Sequence, residues 1–527
     1  MRKLIVKGTE IAAVNITSGE SAPEKYAAAE LAKYLDKIAG ITTGGGYPIT
    51  VKIDDRLHRD GYRISICDTT GLYILGGNGR GVIYGVYAFL EKYAGVRFFI
   101  PGLEVYGSGD IIVDEGFSHT PVIDFRQSDW MCGRDVEWRV KNGINDRVIP
   151  EEMGGYIKMA DGAGVHTMET LTGADQYREQ PCLSDPENLA KAIKKVREIL
   201  DSDPDATIIS VSQNDNRNFC TCDKCKAVDD EEGSHMGTLL RFVNAVADDI
   251  REDFPHVTVD TLAYQYTRQA PKLTVPRDNV CIRLCSIECC FSHPLNDPTC
   301  TENVHFCSDI VEWNKLSDNI YIWDYVTNFL YYIAPFPNFG VLRENMRFFA
   351  DHGVKGMYPE GNFNSPQSGE FGELRCYLLA KLMMDPYMST TDYYGYMDEF
   401  LAAYYGDGWR YIRAFIDFTT METAGRHMRI YDHPFSIIPR DRYEAMEDII
   451  DTWWDKAEEL AGDRLDSVKR SRMQWRYIKL MLHPSEEEGQ AFIDDVKKYR
   501  IRWCENKDFP NDVDFSKTPD LWQNWKK

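Results

Sequence analysis

Between residues 121 and 362 short apolar runs alternate with longer stretches whose apolar residues fall three and four apart, and this alternation restricts the chain more than any other feature. A strand followed by a crossover helix, repeated, builds a parallel sheet with helices on its outer face. Candidate strands are residues 122–127, 143–147, 162–167, 207–212, 257–263, 280–287, 320–324 and 353–358, with helices between them that include 186–200 and 237–251. Pro255 stops the second of these helices from continuing. Eight candidates at this spacing predict an α/β chain built on a (β/α)₈ TIM barrel.

A chain of 527 residues exceeds what one core usually organises. Residues 1–115 read as a small α/β domain: a strand at 10–15 and a helix at 21–39, then a strand at 72–75 and a helix at 81–93 entered through Gly76-Gly77-Asn78-Gly79. That turn lacks both the spacing of a dinucleotide fingerprint and the Lys-Ser/Thr of a P-loop, so it reads as a tight turn before a packed helix. The barrel is expected over 116–388. Residues 389–527 show helical spacing without strand-like alternation and read as a C-terminal helical domain, whose Trp453, Trp454 and Trp475 fit packing roles.

Formal charge adds exclusions. At −23 with no basic block, the chain is expected to repel nucleic acid and anionic membrane surfaces. Residues 1–17 never form the apolar run of a signal peptide or membrane helix. The 14 scattered cysteines suit a reducing compartment, so a cytoplasmic location is expected.

In a parallel barrel, reactive side chains stand at the C-terminal ends of the strands. Those ends carry Arg126 with Trp130, His166, Asn214 with Asp215, Tyr264, Glu288, Trp323 with Asp324, and Glu360. Several strands thus bring carboxylates to one face among aromatic rings, the mixture glycoside hydrolysis uses: an acid for the leaving oxygen, a second group as nucleophile or base, and ring faces for the sugar. Asp215 is the first candidate for proton donor, Asn214 for an acetamide or hydroxyl binder, and Asp324, Glu360 and Glu288 for stabiliser, nucleophile or base. Arg126, Trp130, His166, Tyr264 and Trp323 are candidate sugar contacts, and Glu370 can reach the site from the helix start after the last strand. The plainer alternative is that individual acids pair with Arg126, Arg268, Arg283 or Arg375.

Cys220, Cys222 and Cys225 have the density of a zinc knuckle, with Cys285, Cys289, Cys290 or His293 as candidates for the fourth ligand. Packed, reduced cysteines are the alternative. Such a zinc would be structural, and no cofactor is required for catalysis.

The stretch GGNGRGVIYGVYAFLEKYAGVRFF (76–99) resembles the small domain that precedes the barrel in α-glucuronidases and in the β-N-acetylhexosaminidases of glycoside hydrolase families 20 and 84. SVSQNDNRNFCTCDKCKAVDDEEG (210–233), TLAYQYTRQAPK (261–272), IYIWDYVTNF (320–329) and GVKGMYPEGNFNSPQSGEFGELRCYLLAKLMMDP (353–386) resemble the domain of unknown function 4838, which includes glycoside hydrolase family 163, endo-acting β-N-acetylglucosaminidases. The resemblance implies a barrel hydrolase on β-linked N-acetylhexosamine in which the substrate's acetamido group acts as nucleophile. Families 20 and 84 carry an acidic pair at the end of the fourth strand, where this chain has Asn214-Asp215. Two other readings stand beside it: a glycosidase on another sugar, such as a uronic acid, using a carboxylate pair, and a non-catalytic glycan-binding protein. In each the partner is an oligosaccharide or glycoconjugate.

Overall fold

A computed structural model describes residues 2–505, 507 and 508. At the N-terminus two helices cover one mixed sheet. Helix Ala22–Ala39 starts on a capping box between Ser21 and Glu24 and ends at Gly40, whose φ of 64° is the left-handed cap that glycine adopts without strain. Helix Gly79–Ala94 starts on Asn78, whose side chain accepts from the Gly81 N–H at 2.7 Å. Their apolar faces, including Leu31, Leu35, Val86 and Phe89, form a core with Ile49, Val51, Leu72 and Ile74 of a six-stranded sheet. The strand expected at 10–15 is two, Thr9–Ile11 and Ala13–Ser18, which pair in different sheets. The glycine turn is explained by close approach: a Cβ on Gly77 would lie 1.8 Å from the His58 carbonyl oxygen.

The second sheet positions the site. Its strands are β1 (Phe125–Arg126), β2 (Ile208–Ser210), β3 (Thr258–Ala263), β4 (Val280–Cys285), β5 (Ile320–Tyr325) and β6 (Gly356–Glu360), hydrogen-bonded in the order β1-β6-β5-β4-β3-β2. Every pairing is parallel, and β4 is buried at all six positions, as a strand covered on both faces must be. The sheet curls into a half-barrel. Six of the eight expected strands are therefore present; 143–147 and 162–167 form none.

Irregular chain spans that gap with a few hydrogen bonds. Asn145 N donates to Arg126 O, Ile157 N to Asn145 O, and Ala160 N to Ile208 O, with a single parallel bridge between Met159 and Ile208. The segment 143–147 includes Gly143 and Arg147 at positive φ, and 162–167 includes Gly162 and His166 likewise, which the extended backbone of a strand excludes.

Arg126 is wholly buried where the N-terminal layer meets the half-barrel. Its Nη2 lies 2.7 Å from Asp60 Oδ2, Arg80 Nε lies 3.0 Å from Asp60 Oδ1, and Asn145 Nδ2 donates to Asp60. Against the desolvation of burial, the two guanidiniums hold the Asp60 carboxyl far below the usual carboxylate range. Arg126 is thus a clamp between layers rather than a sugar contact.

Beyond residue 389 the described chain is mainly helical: Thr390–Tyr405, Trp409–Thr423, Arg440–Glu459, Leu465–Leu482 and Glu486–Tyr499. These helices share one continuous apolar core with the half-barrel, in which Trp454 and Trp475 are buried. After the last helix the chain returns to the barrel mouth, where Trp503 O accepts from Tyr332 N at 2.8 Å and Glu505 N donates to Phe329 O at 3.1 Å. No helix among the described residues is long and apolar enough to cross a membrane.

Candidate active site

Successive strand residues point to opposite faces, so parity decides what enters the barrel. Across the sheet the register aligns Leu262 with Arg283 and Tyr321, then Cys285 with Trp323 and Tyr358, then Tyr325 with Glu360. Low in the barrel, Arg283 Nε pairs with Asp260 Oδ2 at 2.9 Å, and Ser210 Oγ donates to the other Asp260 oxygen. Above this plug lies a cavity of ≈ 360 Å³, lined by Leu262, Cys285, Trp323, Tyr358, Tyr325, Phe329 and Tyr264, with Val165, His166, Ile287 and Phe363, and with Asp215, Glu360, Tyr431 and Glu505 as its other polar residues.

Glu360 ends β6 at the cavity wall. Burial pushes its carboxyl well above the usual range, and the neighbouring charges of Asp129, Glu505 and Asp215 push the same way. The opposing contact is Trp323 Nε1, which donates to Glu360 Oε2 at 2.7 Å. Beneath it Asp129 is buried and pushed up to about 7 by desolvation, against the pull of the Tyr358 hydroxyl and the Gly361 N–H. Asp215 projects from the loop after β2, exposed on its solvent side, and accepts from the Tyr264 hydroxyl at 3.2 Å. Glu505 is half-buried and raised by desolvation and by the Asp215 charge. Positive φ occurs at the wall residue His166 (51°), held by Ser212 Oγ and by its own Nδ1 donating to Gln213 O at 2.8 Å, and at Gln265 (51°), the chain neighbour of wall residue Tyr264, whose Nε2 donates to Tyr264 Oη at 2.7 Å. Strained backbone tied down at a cavity wall fixes side-chain direction.

Of the residues singled out in the sequence, Asp215, Glu360, His166, Tyr264 and Trp323 meet in this cavity. The others lie elsewhere. Asn214 is fully buried; its Nδ2 donates to the carbonyls of Ala174 and Glu179 and its Oδ1 accepts from Glu169 N, so it pins the 169–179 loop. Asp324 has the opposite parity to Trp323 and accepts from Ser286 Oγ at 2.6 Å, with burial pushing it up to about 6. Glu288 pairs with Arg268 at 2.8 Å, and Glu370 forms a buried two-oxygen pair with Arg375 at 2.6 and 2.8 Å. Trp130 packs under the loop after β6, against Gly361. Three residues the sequence reading passed over matter here: Asp129, adjacent to the chosen Trp130, and Tyr431 and Glu505, which arrive from beyond the half-barrel.

The fourth partner of Cys220, Cys222 and Cys225 is Cys182. The four sulfurs lie within 4.8 Å of one another, with Cys182 Sγ 3.7 Å from both Cys222 Sγ and Cys225 Sγ. A tetrahedral zinc with Zn–S near 2.3 Å requires sulfurs about 3.8 Å apart, so the donor set fits. None of Cys285, Cys289, Cys290 and His293 joins this cluster; Cys285 lines the cavity, while Cys290 and His293 belong to a separate group.

The sequence model of the family described as domain of unknown function (DUF4838) matches residues 105–417. No curated protein matches the sequence. Among solved structures, the chain is similar to BtGH115A, a family GH115 4-O-methyl-α-glucuronidase with specificity for decorated arabinogalactans, at 11% identity and a TM-score of 0.56 over 94% of this chain and 76% of that one. It is also similar to the family 89 enzyme CpGH89 from Clostridium perfringens, solved with its substrate GlcNAc-α-1,4-galactose, at 11% identity and a TM-score of 0.51 over 90% of this chain and 65% of that one. At this identity the likeness concerns the fold.

Proposed function

Because the chain belongs to the DUF4838 family, whose description assigns no chemistry, we propose from the site itself that the protein is a glycoside hydrolase. The observation that carries this reading is Glu360: a buried carboxyl whose pKa is raised, in an aromatic cavity, with a second carboxylate, Asp215, on the same cavity. A raised acid holds its proton to higher pH than an ordinary carboxyl does and can deliver it to a glycosidic oxygen as the C–O bond breaks. The burial of Glu360 favours it over the more exposed Asp215 as proton donor. Within this class we read the substrate as a β-linked N-acetylhexosaminide, the activity implied by the resemblance to family 163. Its acetamido oxygen attacks the anomeric carbon while Glu360 protonates the leaving group. Asp215 accepts the acetamido N–H, and the Glu360 carboxylate then takes a proton from the water that opens the cyclic intermediate. The uronide reading loses support because no Arg or Lys lines the cavity among the described residues, leaving a substrate carboxylate without a cationic partner. We read the Cys182, Cys220, Cys222 and Cys225 cluster as a structural zinc site that anchors the loop carrying Asp215, since four protein ligands leave no position open for catalysis.

The test compares a nitrophenyl N-acetylglucosaminide with an unactivated oligosaccharide for wild type, Glu360→Gln and Asp215→Asn. Nitrophenolate leaves without a proton, so in kcat/KM, which reports formation of the cyclic intermediate, Glu360→Gln should slow the oligosaccharide about 10²–10⁴-fold and the nitrophenyl substrate much less, whereas Asp215→Asn should slow both. Equal, small effects of Glu360→Gln on the two substrates would remove it as the acid. Sugar binding without turnover of any glycoside would favour the glycan-binding reading.

A further inference from the structure

We propose that the protein holds a second structural zinc ion, ligated by Cys290, His293, Cys300 and His427, which staples the loop after β4 to the segment that delivers Tyr431 to the cavity. One ligand atom from each of the four lies within 4.8 Å of the others. Cys290 Sγ stands 3.1 Å from His293 Nδ1, and Cys300 Sγ stands 3.7 Å from His427 Nδ1. Around a tetrahedral zinc with bonds of about 2.3 Å to sulfur and about 2.05 Å to nitrogen, a sulfur and a nitrogen sit about 3.6 Å apart, between the two observed separations. Both cysteines are buried. Binding would exchange two thiol protons for one dication, leaving two thiolates, two neutral imidazoles and no net charge, a combination that suits buried sulfurs beside a more exposed His427.

The surroundings are built to hold these ligands. Asn303, fully buried, donates to the carbonyls of Cys290 and His293 and accepts from Cys290 N at 2.8 Å. Glu302 Oε2 is buried without a hydrogen-bond partner among the described residues and lies 3.9 Å from His427 Nδ1, on the ligating side of the ring, so it places a negative charge beside the cation the site would hold. The two tied segments also meet through the backbone, where Phe291 N donates to Met428 O at 2.8 Å; from the loop after β5, Phe329 N donates to Ile430 O at 2.9 Å, directly before Tyr431. His427 is 127 residues from Cys300, so the cross-link encloses β5, β6 and the chain through helix Trp409–Thr423.

Metal content of the untagged full-length protein, grown with zinc, is measured by mass spectrometry for wild type and for the Cys300→Ser/His427→Ala variant. The variant should contain one zinc ion fewer per chain, and hydrogen exchange over residues 425–433 should accelerate at least tenfold while exchange in helix Ala22–Ala39 stays unchanged. Should the variant fail to fold, X-ray absorption on the zinc-loaded Cys220→Ser/Cys222→Ser protein gives the same decision: a first shell of two sulfurs and two nitrogens supports the site. Equal zinc in wild type and variant, a zinc-free wild type, a Cys290–Cys300 disulfide, or an all-sulfur shell would each overturn it.

Discussion

Replacing Trp323 by Phe keeps a ring against Tyr358, now 4.5 Å away in an edge-on contact, and deletes the indole N–H that lies 2.7 Å from Glu360 Oε2. That N–H favours the ionised carboxylate and opposes the desolvation that raises the group. A hydrogen bond to a charged group is worth about 1.5–3 kcal/mol, and one pH unit corresponds to about 1.4 kcal/mol, so its loss should raise the Glu360 pKa by about one to two pH units. The proton donor then stays protonated to higher pH. The alkaline limb of kcat/KM for an unactivated oligosaccharide should move upward by that amount, while the nitrophenyl substrate, which needs no proton, reports no comparable shift. An alkaline limb that stays in place in Trp323→Phe, with substrate still turned over, would refute both the role of Glu360 and the reasoning about its partner.

Asp324 supplies a stability prediction. Its folded value of about 6 lies above the ordinary 3.8, so the folded chain retains a proton the unfolded chain releases, and stability falls as pH rises between these values. Asp324→Asn removes that slope, and its stability relative to wild type in urea should improve by about 3 kcal/mol from pH 3.5 to pH 7; a pH-independent difference would contradict the burial argument. Removing one partner of the Arg126–Asp60 pair by Arg126→Met should lower the unfolding free energy by about 3–5 kcal/mol, because it leaves a buried charge with less compensation. A loss under about 1 kcal/mol would show that Arg80 alone satisfies Asp60. Cys182→Ser should reduce the zinc content by one ion per chain, as should Cys225→Ser; unchanged zinc in Cys182→Ser would remove it from the ligand set.

Much of the half-barrel was legible because buried parallel strands are continuous apolar runs: the runs at 257–263, 280–287 and 320–324 match β3, β4 and β5 to within two residues at each end. The stretches at 143–147 and 162–167 misled because their apolar residues are buried without being strands; Ile144 and Ala163 face the core from irregular chain. Within the site, position along a strand was legible and facing was not. Asp324 and Trp323 both end β5, and only the pairing of Trp323 with Tyr358 reveals which of them enters the barrel. Asn214 and Glu370 carry the residue types of a site, yet their hydrogen bonds are consumed by a loop backbone and by Arg375. Cys182 was out of reach because it lies 40 residues from Cys222 and only the folded loop brings it back. Glu505 was further away still, placed by a backbone bond to Phe329.

That last arrangement bears on how the protein matures. A ribosome releases the strands of the half-barrel long before it reaches residue 505, and until then the cavity lacks a wall, a neighbouring charge and the hydrogen bond that docks the returning chain. The proposed activity should therefore switch on late in synthesis, and a fragment trimmed to residues 105–417 would carry Asp215 and Glu360 without Tyr431 or Glu505, a cavity missing its threshold.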